Sequence, residues 1–246
     1  MKEIKCNLSH KCLSNVFVFA TRLSHKNDCD KLADQLANTL FDFSSESKKS
    51  LRYIQGAVGK VLLKYIALTR FDCSSFEVSY GKGKPYAVGI YMMNFNLSHS
   101  GEWVLCAISD KEIGVDVQQI NSQYFHHSEY FFSKEEISML QTETGVHQVD
   151  TFTELWTLKE SYTKCMGLGL DIPFSSFSIM KDNEGASLFL GGKKIKTLSF
   201  YTHRLNEKYI YSICIRDCHM GLVNFEEIRI ESLLKWLITQ KDVDRK

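Results

Sequence analysis

The run Trp156-Thr157-Leu158-Lys159-Glu160-Ser161-Tyr162-Thr163-Lys164, followed by Gly167 and Gly169, carries the most chemical information in this sequence. Trp156, Glu160 and Lys164 recur at i, i+4, so on a helix an indole, a carboxylate and an ammonium share one stripe. Ordinary surface Glu–Lys pairs use the same spacing, so the stripe alone does not define a site. A second acid shifts the reading. In Ile113-Gly114-Val115-Asp116-Val117-Gln118 the apolar residues alternate with Gly114, Asp116 and Gln118. A strand here buries one face and presents Asp116 and Gln118 together on the other. Two carboxylates from distant elements, each in polar company, suggest a site for a hard cation.

Three further polar clusters fall between apolar segments. Gly83-Lys84-Pro85-Tyr86 offers a lysine on a loop whose glycine permits close backbone approach, although a plain surface turn has the same composition. Ser98-His99-Ser100-Gly101 is expected to be a tight turn after a short strand. Sequence neighbours on a turn seldom form a triad, and no G-x-S-x-G elbow is present, so donation to a phosphate suits this cluster better than nucleophilic catalysis. Arg52, near the start of a helix, adds a cation suited to bidentate phosphate contact. Phosphate donors plus two carboxylates match the preference of Mg²⁺ for one or two acids together with substrate phosphates. That inventory points to phosphoryl transfer from a multiply phosphorylated donor. There is no Walker loop and no glycine-rich phosphate loop of the kinase kind.

The elements that must position these groups alternate between helix and strand. Leu51, Ile54, Val58, Leu62 and Ile66 predict a helix over 48–68, and Leu32, Leu36 and Leu40 one over 31–40. The benign reading of Gly56 and Gly59 in the first of these is close helix packing. Strands are expected at 76–80, 95–97, 103–109, around Asp116, at 187–190 and 209–215, and possible over 198–203. Ser133 with Glu136, and Thr151 with Glu154, read as capping boxes; Gly167 reads as the stop of the Trp156 helix, and 227–239 as a closing amphipathic helix. Strands without intervening crossover helices give an α+β fold with antiparallel sheets, in two parts of about 1–110 and 111–246.

Composition limits the partners. The chain has 246 residues, 44% of them hydrophobic, with 30 Lys plus Arg against 29 Asp plus Glu. It can bury a full core, and no global field favours nucleic acid or an acidic membrane. The N-terminus lacks the apolar core of a signal peptide, no run is long enough to span a membrane, and eight irregularly spaced cysteines suit reduced thiols. The expectation is a cytoplasmic protein. Cys214, Cys218 and His219 lack the second ligand pair that a zinc site needs.

Gly83-Lys84-Pro85, Phe95-Asn96-Leu97-Ser98-His99-Ser100-Gly101, Ile113-Gly114-Val115-Asp116-Val117, Phe132-Ser133 and Trp156-x-x-Lys159-Glu160-Ser161…Lys164…Gly167-Leu168-Gly169-Leu170 occur in order. In this the chain resembles the surfactin-synthetase-activating (Sfp-type) 4′-phosphopantetheinyl transferases, over about residues 45–180. The resemblance implies a pseudo-dimer of two similar α+β halves, with coenzyme A in the cleft between them. It implies transfer of the 4′-phosphopantetheine arm to a serine hydroxyl of an apo carrier protein, leaving adenosine 3′,5′-bisphosphate. Asp116 and Glu160 are then Mg²⁺ ligands. His99 meets the 3′-phosphate, with Ser98 beside it and Arg52, Gly83, Lys84 and Pro85 around the adenosine end, while Lys159 and Lys164 meet the pyrophosphate. Glu160, directly or through a metal-bound water, takes the serine proton, and Lys164 offsets the leaving phosphate. Many members carry a third acid where this chain has Gln118, whose neutral amide is left as a weak ligand or a holder of a ligating water. The expected carrier surface is Tyr124, Phe125, Tyr130 and Phe131, although such aromatics equally anchor loops, and the protein is expected to act as a monomer. The competing class is a non-catalytic coenzyme A or carrier-binding module of the same fold.

Overall fold

The computed structural model describes residues 13–23, 50–73, 77–80, 85–88, 93–122, 128–169, 172–182, 185–216 and 219–243. The helix expected at 31–40, Gly83, Lys84, Tyr124 and Phe125 lie outside the described residues. In chain order the strands are β1 (Leu13–Arg22), β2 (Glu77–Tyr80), β3 (Pro85–Val88), β4 (Asn94–Ser100), β5 (Trp103–Ser109), β6 (Ile113–Gln119), β7 (Phe177–Asp182), β8 (Gly185–Leu190), β9 (Lys193–Lys194), β10 (Leu198–Asn206), β11 (Tyr209–Arg216) and β12 (His219–Glu227). The helices are α1 (Leu51–Arg70), α2 (Ser128–Phe131), α3 (Lys134–Thr142), α4 (Gly145–Met166) and α5 (Ile230–Val243).

A four-stranded sheet in the order β12-β1-β5-β4 has both faces covered. Strand alternation sends Phe19, Phe95, Val104, Cys106 and Ile108 to one face, where they meet Ile54, Val58, Leu62 and Ile66 of α1 and Leu233 and Leu237 of α5. Val16, Val18, Ala20, Leu105 and Ala107 point to the other face. There they pack on Ile113, Val115 and Val117 of β6 and on Tyr209, Tyr211, Ile213 and Ile215 of β11. The second sheet, β10-β11-β6, thus lies against the first, and α4 covers its far side through Leu158, Tyr162 and Cys165 beside Cys214. Each fully buried Leu, Ile or Val contributes roughly 1.5–3 kcal/mol, so the contact between the sheets is a core in its own right. This is the expected α+β architecture.

The end of the chain returns to the first sheet. β12 pairs in parallel with β1, and α5 joins the core under α1, so residues 219–243 pack with the first part of the chain. Glu227, expected to open the last helix, instead ends β12. Ser98, His99 and Ser100 are strand residues of β4, and only Gly101 and Glu102 form the turn. The Ser133 box is present: its hydroxyl accepts from Glu136 N–H at 3.3 Å, and the Glu136 carboxylate accepts from Ser133 N–H at 2.8 Å. The second box is absent. α4 begins seven residues before Phe152, because Phe152 and Leu155 belong to an apolar cluster with Phe132 and Leu140 that favours continuous helix. Thr153 accordingly donates to Val149 O within the helix at 2.8 Å.

Candidate active site

The site starts from a missing side chain. A Cβ on Gly114 would fall well under 3.0 Å from the Ser161 carbonyl oxygen and the Cys165 nitrogen. Only glycine lets the α4 backbone come this close to β6. That approach sets Asp116, two residues on and on the same face, against Lys164, three residues beyond Ser161 on the helix.

Asp116 is buried, with Lys164, Ser98 and Gln118 turned to it. Its Oδ1 accepts from Lys164 Nζ at 2.6 Å and from Ser98 Oγ at 2.8 Å, and its Oδ2 accepts from Gln118 Nε2 at 3.0 Å. The Ser98 hydroxyl also accepts from Lys164 Nζ at 3.2 Å and from Val117 N–H at 3.2 Å. One donor and two lone pairs are all a serine hydroxyl has, so Ser98 is committed within the protein. Ser100 Oγ accepts from Gln119 N–H at 3.0 Å and reaches Gln118 Oε1 at 3.4 Å.

Glu160 stands one helical turn before Lys164 and is half-buried. Burial first, and the Asp116 charge second, push its carboxyl above the usual range, with Lys164 opposing. His99 is shifted the other way. Burial, then Lys164 and Arg52, hold its imidazole below the ordinary value, against the pull of Asp116. Lys164 and Arg52 thus both act as cations on His99, and Asp116 opposes them. Among the described residues no three His, Cys, Asp or Glu side chains converge as a metal-binding group. The donor set nevertheless fits Mg²⁺: the Asp116 charge pushes the Glu160 carboxyl up, Lys164 opposes that, and the Gln118 amide lies against Asp116.

Comparison with known proteins now bears on this arrangement. A sequence model of the 4′-phosphopantetheinyl transferase superfamily matches residues 112–214. A 4′-phosphopantetheinyl transferase from Bacillus subtilis is 34% identical over 161 residues, spanning 64% of this chain and 71% of that protein. The chain belongs to this family. A second relative, the 4′-phosphopantetheinyl transferase gsp of Aneurinibacillus migulanus, is 29% identical over 218 residues, 82% of this chain and 91% of its own. The transferase Sfp of Bacillus subtilis strain 168 is 33% identical over 131 residues, 52% of this chain and 58% of its own.

The structure of this 4′-phosphopantetheinyl transferase brings Asp116, Gln118, Lys164 and Ser98 into contact, with Glu160, His99 and Arg52 in their electrostatic reach. It corrects one expected phosphate contact and turns a second to a protein partner. Lys159 is fully buried. Its Nζ donates to Phe174 O at 2.7 Å and Phe177 O at 2.6 Å, pairs with Glu136 at 2.9 Å and lies 4.1 Å from the centre of the Phe177 ring. Burial pulls the ammonium below its usual range and Glu136 opposes that, so Lys159 locks α4 to α3 and β7 rather than meeting the pyrophosphate. The Ser98 hydroxyl is turned to Asp116. The aromatics expected at the carrier surface divide: Tyr130 is 79% exposed, whereas Phe131 packs edge-on to Trp156 at 5.0 Å. Pro85 opens β3.

Asn96 was not expected at the site, and Ser100 only as part of the Ser98-His99-Ser100-Gly101 cluster. Asn96 Oδ1 accepts from Val115 N–H at 2.9 Å, beside the Ser98 bond to Val117. The period-two sequence Asn96-x-Ser98-x-Ser100 was the signal available, since it places three small polar groups on one strand face. Gln55 is a further member: its Nε2 donates to Gly101 O at 2.6 Å and ties the β4–β5 turn to α1.

Proposed function

We propose that this transferase moves the 4′-phosphopantetheine arm of coenzyme A to a serine hydroxyl of apo acyl, peptidyl or polyketide carrier proteins. The products are holo carrier and adenosine 3′,5′-bisphosphate. The observation that carries the reading is the convergence of Asp116, Glu160 and Lys164, with His99 and Arg52 beside them, on a chain of this family.

In the reaction the serine Oγ attacks the phosphorus that bears pantetheine. A new P–O bond forms, the bond to the bridging pyrophosphate oxygen breaks, and its electron pair leaves with the adenosine 5′-phosphate. Glu160 accepts the serine proton, a task suited to a carboxyl whose proton affinity burial and Asp116 have increased. Lys164 offers its ammonium to the charge growing on the leaving phosphate. His99 and Arg52 receive the 3′-phosphate. Asp116 and Glu160 would hold Mg²⁺, which when bound offsets pyrophosphate charge, with the Gln118 side chain beside Asp116 as a weak ligand or a holder of a ligating water. Tyr130 is the aromatic we assign to carrier docking. One chain supplies every group named here, as a monomer requires.

A cytoplasmic location accompanies this reading. It is supported by Cys73, Cys106, Cys165 and Cys214, which carry thiols rather than disulfides, and among the described residues no helix is long and apolar enough to cross a membrane. The test is incubation of the purified chain with Mg²⁺, coenzyme A and purified apo carriers, read by intact mass. A gain of one phosphopantetheine, absent when the carrier serine is replaced by Ala, is expected. An unchanged carrier mass across acyl, peptidyl and polyketide carriers would overturn the reading.

A further inference from the structure

The two sheets meet at the site through a seam that is not a backbone ladder. Among the described residues β6 is the edge strand of its sheet, paired only with β11. Every second N–H of an edge strand points away from its partner and needs an acceptor. Three of these in β6, at Val115, Val117 and Gln119, each find a side chain of β4: Asn96 Oδ1 at 2.9 Å, Ser98 Oγ at 3.2 Å and Ser100 Oγ at 3.0 Å. The separation along the chain is 19 residues at all three. Side chains on one face of a strand and N–H groups on one edge of a strand both repeat every ~6.8 Å, so the two rows match without distortion. We propose that Asn96, Ser98 and Ser100 form a comb that sets the register of β6 on the first sheet, making Asn96 and Ser100 positioning residues for Asp116.

Three features support the comb as a positioning device. A one-residue slip of β6 would turn Asp116 and Gln118 to the opposite face and put Val115 or Val117 against Lys164, so register decides whether a site exists. The middle tooth is chemically joined to the site, since Ser98 Oγ takes its N–H from Val117 while giving its proton to Asp116. The comb is also clamped at its open end. Gly101 has φ +54° and a Cβ there would strike the Tyr209 side chain; Tyr209 Oη accepts from Glu102 N–H at 3.3 Å, and Gln55 holds Gly101 O from α1. Rows of acceptors that only hid an edge strand would need neither the matched offset nor the shared serine.

The inference rests on the proposed transfer reaction, and its test separates the two. Amide hydrogen exchange and transfer kinetics are measured on wild type, Asn96→Ala, Ser100→Ala, Ser100→Thr and the Asn96→Ala/Ser100→Ala double variant. Loss of one acceptor should speed exchange about fivefold at the matching amide only, Val115 for Asn96→Ala and Gln119 for Ser100→Ala, the equivalent of ~1 kcal/mol. The double variant should lose ~10-fold or more in kcat, with the carrier KM nearly unchanged, because ångström-scale misplacement of a reacting group costs rate rather than docking. Ser100→Thr keeps the hydroxyl and should restore both the Gln119 protection and kcat. Wild-type exchange at Val115 and Gln119 in the variants would show that the comb does not exist. Faster exchange with wild-type kcat would reduce the comb to an edge cover and refute the positioning role. If the double variant fails to fold, Ser100→Ala and Ser100→Thr, at the half-buried end, decide between these outcomes. A wild type that transfers nothing would overturn the proposed function, and the exchange pattern would still decide whether the comb exists.

Discussion

Gly114→Ala is the sharpest perturbation of this protein, because one methyl group would meet a helix backbone. The new Cβ would lie well under 3.0 Å from both Ser161 O and Cys165 N and 3.0 Å from Cys165 Cα, where ordinary contact begins at 3.4 Å. None of these atoms can rotate away, so β6 and α4 must part by about an ångström along the line that joins Asp116 to Lys164. Overpacking of this kind costs ~1–3 kcal/mol, and the rigid obstruction argues for ~3. At ~2–4 °C per kcal/mol for a chain of this size, Tm should fall by about 6–12 °C. The 2.6 Å Lys164–Asp116 contact would open, and an ångström of misplacement should lower kcat by ~100-fold. Calorimetry gives the first quantity and a coenzyme A-to-carrier transfer assay the second. Gly56→Ala is the control: a Cβ there meets nothing within 4 Å, so a helix-interior Ala should stabilise by ~0.5–1 kcal/mol. A Gly114→Ala protein with wild-type Tm and kcat would refute the argument that this glycine sets the approach of α4.

Three further outcomes follow from other groups. Lys159→Met should cost ~3–5 kcal/mol by leaving Glu136 buried and unpaired; adding Glu136→Leu should recover only part, since Glu136 also accepts from Ser133 N–H and Ile179 N–H, as paired denaturation curves would show. The folded His99 pKa lies below 6.5, so its contribution to stability is present above the unfolded value and lost as pH falls through the folded one. Melting temperature should therefore drop on the acid side of pH 6.5, His99→Gln should flatten that drop, and coenzyme A binding should take up a proton, measurable by calorimetry in buffers of different ionisation enthalpy. Gln118→Glu removes the donor to Asp116 Oδ2 and adds a like charge, so the metal-free protein should melt lower while Mg²⁺ binds more tightly by titration calorimetry; unchanged values in both would place residue 118 outside the site.

The readable parts of this protein were those governed by local chemistry. Apolar spacing marked α1, a nearly continuous apolar run marked β5, alternation marked β6, Ser133 with Glu136 marked the start of α3, and Gly167, with φ +65°, marked the end of α4. The candidate acids Asp116 and Glu160 and the base Lys164 were legible because each sits at a fixed period on its own element. What could not be read was which of two adjacent polar groups turns inward. Lys159 and Glu160 are neighbours in one motif, yet Lys159 is sealed against Glu136, Phe174 and Phe177 while Glu160 faces Asp116. Helix rotation decides this, and rotation is set by α3, β7 and the glycine face of β6 rather than by the motif. Ser98 likewise carries a hydroxyl suited to phosphate or protein, and the approach of β6 took all its bonding capacity. The return of β12 and α5 to the first sheet was equally closed to local reading, because parallel pairing of β1 with β12 joins segments about 200 residues apart. Sequence by itself determined which chemical groups exist and which helix or strand carries them, since propensity and period act between near neighbours. Only the tertiary structure decided which of them meet, because that depends on long-range packing of one face against another.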